Sequence, residues 1–231
     1  MNIENNENLN ISEPQVLSNH KPSFVARFKT YSLIKKILIG FGLYIAFSLV
    51  VGFINPSSDD GTAFLRDEQK ISEINGRWQI EARRIEVLIT DITDGKITDT
   101  VEVQSNLNDI RSRISPILVE LSDHCRTLPE SKSGLSGEAA AKDGAYEMLR
   151  EWCRITPAQT LELYSIVNAQ ISSGSTQMDI DRHILAYQSL QREKLLAIKA
   201  GMTGLLPYVS GTDESTAKTL LATVDQQLSS L

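Results

Sequence analysis

Two cysteines, Cys125 and Cys153, and two histidines, His124 and His183, are the side chains whose chemistry is most open. Thiols and imidazoles can ligate zinc as a Cys2His2 set, but the short C-x-x-C and H-x-x-x-H spacings that make such a site specific are absent. An even cysteine count fits a disulfide formed in an oxidising compartment. The register sets a condition on that bond. A tight hairpin centred near residue 133 would place Cys125 opposite residue 141, ~18 Å short of Cys153 along a helix. A disulfide therefore requires segment 126–140 to be looser than a simple turn, and two buried free thiols are the alternative. His124 falls on an apolar stripe, which predicts a packed or hydrogen-bonded core histidine.

Nucleophilic catalysis needs a Ser or Cys brought to a His and an orienting acid, and no G-x-S-x-G elbow is present. The phosphate-cradling patterns G-x-x-x-x-G-K and G-x-G-x-x-G are absent as well. Paired carboxylates such as Asp91 and Asp94 read as solvated charge on an acidic helix. Neither an enzyme nor a bound cofactor or metal is expected. Trp78, Trp152, Tyr146, Tyr164 and Tyr187 could line a pocket between helices, although core packing is the default for aromatics at helical spacing. The chain of 231 residues carries a net charge of −6. That balance excludes a protein built to lie along nucleic acid, which needs clustered Lys and Arg to neutralise phosphates.

The elements that must position these residues are helices. Ile71, Ile74, Trp78, Ile85, Leu88 and Ile92 advance by threes, fours and one seven, with Glu81 the single polar intruder, and Gly95 follows as a stop. Asp99 and Glu102 stand at capping-box spacing before Val103, Leu107, Ile110, Ile114, Ile117, Leu121, His124 and Leu128. Pro116 lies inside that run and should bend the helix without ending it. A third stretch from Glu138 reaches Ile155, where Thr156-Pro157-Ala158-Gln159 reads as a fresh N-terminus and predicts a break or kink. After the turn SSGS, a fourth helix carries Ile180, Ile184, Tyr187, Leu195, Ile198, Met202 and Leu205 on one face, up to Pro207. Leu220, Leu221, Val224, Leu228 and Leu231 form a short last amphipathic segment. No sustained period-two alternation predicts a strand.

Ahead of this domain, Ile37 to Ile54 are 18 residues without a charge, and Leu33 and Ile34 extend the apolar stretch. That is long enough to cross a bilayer's hydrocarbon core. Lys21, Arg27, Lys29, Lys35 and Lys36 precede it and Asp59 and Asp60 follow it, which predicts a cytoplasmic N-terminus. A 36-residue leader would be long for a cleaved signal peptide, so an uncleaved anchor is expected. Within the span, Gly42 with Ala46 and Ser48 with Gly52 are small residues four apart, a spacing that admits a second membrane helix. The Asn- and Glu-rich tail before it is too poor in aromatics to fold alone.

The predicted fold class is therefore all-α: a single N-terminal transmembrane helix followed by an extracytoplasmic up-down bundle of four-helix type with a short C-terminal helix. The predicted divisions are a cytoplasmic tail over 1–32, the span over 33–55, a linker over 56–61 and the helical domain over 62–231. In outline this resembles the extracytoplasmic sensor domains of chemoreceptors, without the second span and signalling region those proteins use. The leading functional expectation is a scaffold or accessory subunit in a membrane, bacterial inner membrane included. It would bind other envelope proteins or copies of itself, and no nucleic acid, docking through Leu220, Leu221, Val224, Leu228 and Leu231. The alternatives are a ligand-sensing bundle that reports through a partner protein and, third, an enzyme of unrecognised type.

Overall fold

The computed structural model describes residues 59–208 and 212–231. The expected membrane span, with Gly42, Ala46, Ser48 and Gly52, and the basic residues before it, Lys21 to Lys36, lie outside the described residues. Those described form five helices and no strand: α1 (Asp59–Thr93), α2 (Thr100–Cys125), α3 (Gly137–Ile171), α4 (Gln177–Leu205) and α5 (Thr212–Ser230), with a 3₁₀ turn at Leu206–Tyr208. The first helix begins at Asp59, inside the stretch expected to be linker. Acidic residues in a first helical turn are favoured by the helix dipole.

The helix ends follow from local chemistry. Gly95, at φ 70°, takes the left-handed conformation after α1, and its N–H bonds to the Ile92 carbonyl while Lys96 N–H bonds to that of Asp91. Asp99 caps α2 by accepting from Val101 N–H at 2.9 Å. Thr176 and Asp179 close a reciprocal capping box on α4. Pro116 sits inside α2, which continues through it as expected.

The break expected at Pro157 does not occur: α3 is one continuous helix. Ile155 and Leu163, on either side of the proline, are both fully buried. Packing of a continuous face on both sides outweighs the single backbone hydrogen bond that the proline removes.

Ion pairs fix the helix directions. Glu120 reaches Lys70 at 2.8 Å and Arg77 at 2.5 Å, and Arg113 pairs with Glu81 further along α1, so α1 and α2 run antiparallel. Arg113 holds Glu81, the intruder of the α1 stripe, at 2.9 Å. His183 with Glu162 at 2.8 Å, and Arg154 with Glu193, set α3 and α4 antiparallel. Trp78 to Thr160 and Gln170 to Thr93 make α1 and α3 parallel. The chain thus runs up and down, with α3 packed against α1, α2 and α4. The expected stripes point inward: Ile71, Ile74 and Ile85 of α1, Leu107, Ile114 and Leu121 of α2, and Leu195, Ile198 and Met202 of α4 are buried together.

Cys125 and Cys153 are disulfide-bonded, with Cα atoms 6.0 Å apart. The register condition is met by the chain between them. Instead of turning at once, it runs on in the direction of α2 beside the first turns of α3: Arg150 Nη1 donates to the Pro129 carbonyl at 2.5 Å, and the Asp143 carboxylate accepts from Ser131 Oγ at 3.2 Å and Lys132 N–H at 3.4 Å. Leu128 is buried under this strap. The start of α3 therefore precedes the cysteine by about 24 Å of helix, and Cys153 comes level with the end of α2.

The C-terminal leucines correct the sequence reading. They were expected to be surplus to the bundle, yet Leu220 and Val224 are buried in the core, and Leu221, Leu228 and Leu231 pack against it. The outer flank of α4 supplies the place that four helices alone do not, and Lys199 pairs with Asp225 across the contact at 2.6 Å. Leu220→Ala is expected to lower the unfolding free energy by about 2 kcal/mol or more, read from the urea midpoint. A loss below about 0.5 kcal/mol would return the residue to the exposed, docking role.

Candidate functional site

Beside its apolar stripe α1 carries a second one, Asn75, Ala82, Glu86 and Ile89, spaced by seven, four and three and buried throughout. It faces the region where α3 presents Trp152, Thr156, Gln159 and Thr160 and α4 presents Tyr187, Gln191 and Lys194. These side chains make a polar seam through the interior of the bundle.

Lys194 is 8% exposed. Its Nζ lies 4.1 Å from the ring centroid of Trp152 and 5.5 Å from that of Trp78. Its polar contact is with Asn75 Oδ1 at 3.5 Å, and no carboxylate pairs with it among the described residues. Burial pulls its ammonium down to about 7, while the two indole faces act in the opposite sense, since a ring face attracts the charged form. The Trp78 indole is itself held: its Nε1 donates to Thr160 Oγ1 at 2.7 Å, and that hydroxyl donates to the Thr156 carbonyl at 3.0 Å.

Several groups around this centre lack partners. Gln159 is completely buried and neither its amide oxygen nor its nitrogen is hydrogen-bonded; Nδ2 of Asn75 is likewise unbonded. Glu86, 3% exposed, has Oε1 without a partner. Burial pushes its carboxyl up to about 8, against a small opposing pull from Arg83, so near neutral pH Glu86 carries its proton and can donate. Tyr187 accepts from Gln191 Nε2 at 3.4 Å, and burial, with Glu86 nearby, raises its phenol further. A buried polar group without a partner costs about 1–3 kcal/mol, so a concentration of them in one seam calls for an occupant or ordered water.

The residues singled out from sequence separate into those the fold gathers and those it disperses. Trp78, Trp152 and Tyr187 meet in the seam. Tyr146 packs edge-on to Phe64, with centroids 5.0 Å apart, and Tyr164 lies under the Arg111 guanidinium at 4.9 Å. His124 Nε2 stands 3.4 Å from Asp67 Oδ1, while His183 pairs with Glu162 on α3, nine residues beyond Cys153. With the two sulfurs bonded to each other, the written Cys2His2 set is not assembled. Asp91 and Asp94 both face Lys96.

Lys194, Glu86, Asn75 and Gln159 were not anticipated. A signal for one was present: continuing the alternation of fours and threes from Ile180, Ile184 and Tyr187 lands on Gln191 and then Lys194, which puts an ammonium on an inward face.

No known family, curated protein or solved structure matches this chain. Fold and seam together define its class: an all-α helical bundle, disulfide-stapled, with a polar centre. Among the described residues no helix is long and apolar enough to cross a membrane.

Proposed function

We propose that this chain is a single-pass envelope protein whose helical domain, outside the cytoplasm, takes a small polar ligand in the seam between α1, α3 and α4 and reports through a partner protein. One observation carries the reading: Asn75, Glu86, Gln159 and Lys194 are all interior and poorly partnered within one seam of the bundle. A scaffold without a ligand gains nothing from them, because an apolar core of equal volume is as stable or more so. Anchoring is supported by the 18 uncharged residues from Ile37 to Ile54 and the basic residues before them. The extracytoplasmic side is supported by the bond between Cys125 and Cys153.

Protein scaffolding is the second reading. It is favoured by Met178, Leu185 and Leu196, which are exposed and recur at seven and eleven residues, so that they share one outer stripe of α4. Native mass spectrometry of the full chain, extracted from membranes in mild detergent, separates the two. The ligand reading expects a retained small molecule that leaves on unfolding. Protein at its bare polypeptide mass, with in-cell crosslinks from Leu185 to another protein, would favour the scaffold.

A further inference from the structure

Among the described residues Lys194 is the cation of the seam, and no anion is paired with it. A buried ammonium is stable when paired and hydrogen-bonded, yet Lys194 has two indole faces and one amide oxygen. The unused groups of the seam include two amide nitrogens, which can only donate. Asn75 turns its oxygen to Lys194, which leaves Nδ2 unbonded. Gln159, also without a bond to either amide atom, immediately precedes Thr160, the residue that anchors the Trp78 indole. Because both of its amide atoms are free, the conclusion does not depend on which way that amide is drawn. The ammonium protons and the Asn75 amide N–H lie beside two aromatic planes, and the Gln159 amide is buried on the same face of α3 as Trp152, seven residues along. Such a set selects a group that only accepts, joined to a flat or apolar body.

Resting on the ligand reading above, we propose that the seam binds a small organic carboxylate, its oxygens held by Lys194, Asn75 and Gln159 and its body lodged against Trp78 and Trp152. The chain contains two tryptophans and both flank Lys194, so indole fluorescence, excited beyond the absorption of the tyrosines, reports on this place. The probes are acetate and benzoate, each against its neutral amide, acetamide or benzamide, titrated into the full chain in detergent with chloride matching the ionic strength. At least one carboxylate is expected to give a saturable change at a concentration about tenfold or more below that of its amide. Lys194→Met should abolish the change, and the same substitution at Lys199, which pairs with Asp225 on the outer flank of α4, should preserve it; circular dichroism of each variant verifies the fold. Equal response to carboxylate and amide overturns the assignment of charge, as does a response that survives Lys194→Met. If neither carboxylate titrates while native mass spectrometry still finds a retained molecule, the ligand class is wrong and the ligand reading stands. If nothing titrates and nothing is retained, both fall and water alone fills the seam.

Discussion

Unfolding free energy of the full chain, measured by urea titration from pH 5 to pH 10, is expected to pass through a minimum between about pH 7 and pH 8. Glu86 and Lys194 produce the two limbs. The Glu86 carboxyl sits at about 8 in the folded chain against 4.5 in the unfolded one, so between these values the native state holds a proton that the unfolded state has released. Stability is therefore fully present below about pH 4.5 and is lost as pH rises toward 8. Lys194 acts with opposite sign: at about 7 folded against 10.5 unfolded, it leaves the unfolded chain binding the extra proton, and stability climbs with pH across that window. Each limb should span on the order of 3 kcal/mol. Lys194→Met should flatten the alkaline limb and raise stability at pH 7.5, since an apolar side chain of similar volume removes the buried amine. Glu86→Gln should flatten the acid limb alone. Below the window Glu120 and Asp179, whose carboxyls ion pairing and capping hold low, begin to protonate and turn the curve down again. A profile flat from pH 5 to pH 10, or one unaltered by both substitutions, would show that neither group is buried as described.

Cys153→Ser is expected to cost about 3 to 4 kcal/mol, from the loop-closure entropy of a crosslink spanning 28 residues. The wild-type chain should show the same loss when dithiothreitol is added, and the variant should show no further change. A loss under about 1 kcal/mol would mean that Leu128 and the strap beside α3 hold the junction without the bond. An oxidising compartment is a condition for full stability on this reading, because a reducing one would remove a large share of a domain's usual 5–15 kcal/mol.

Helix positions were legible because a period of three and four reports which side of a helix is apolar, and α2 obeyed it from Val103 to Leu121. What periodicity cannot report is how many neighbours a helix has. The stripe through Asn75 and Glu86 reads as a solvated flank if α1 meets one partner, and as interior once α3 and α4 close over it. Residue type then misleads, since Lys and Glu are rarely fully buried. Thr156-Pro157 misled in a different way: its capping chemistry is local, and the continuous packing of α3 from Trp152 to Ile166 overrode it. For the leucines of α5, the amphipathic face was read correctly and its partner was not, because the flank of α4 that receives them carries Lys199 among its apolar positions.

The crosslink between α2 and α3 also decides what kinds of internal motion the bundle can make. With Cα atoms already 6.0 Å apart, displacing α2 along α3 by one helical turn, ~5.4 Å, would stretch that separation to about 8 Å, past the ~6.8 Å a disulfide spans. A piston stroke that long between the α1–α2 hairpin and the α3–α4 hairpin is thereby forbidden, and strokes are limited to about 3 Å. A pivot about the bond is not, since rotation leaves the two anchor points where they are. Large internal rearrangements of this domain are therefore pivots, changes in the angle between two hairpins joined at a single covalent point.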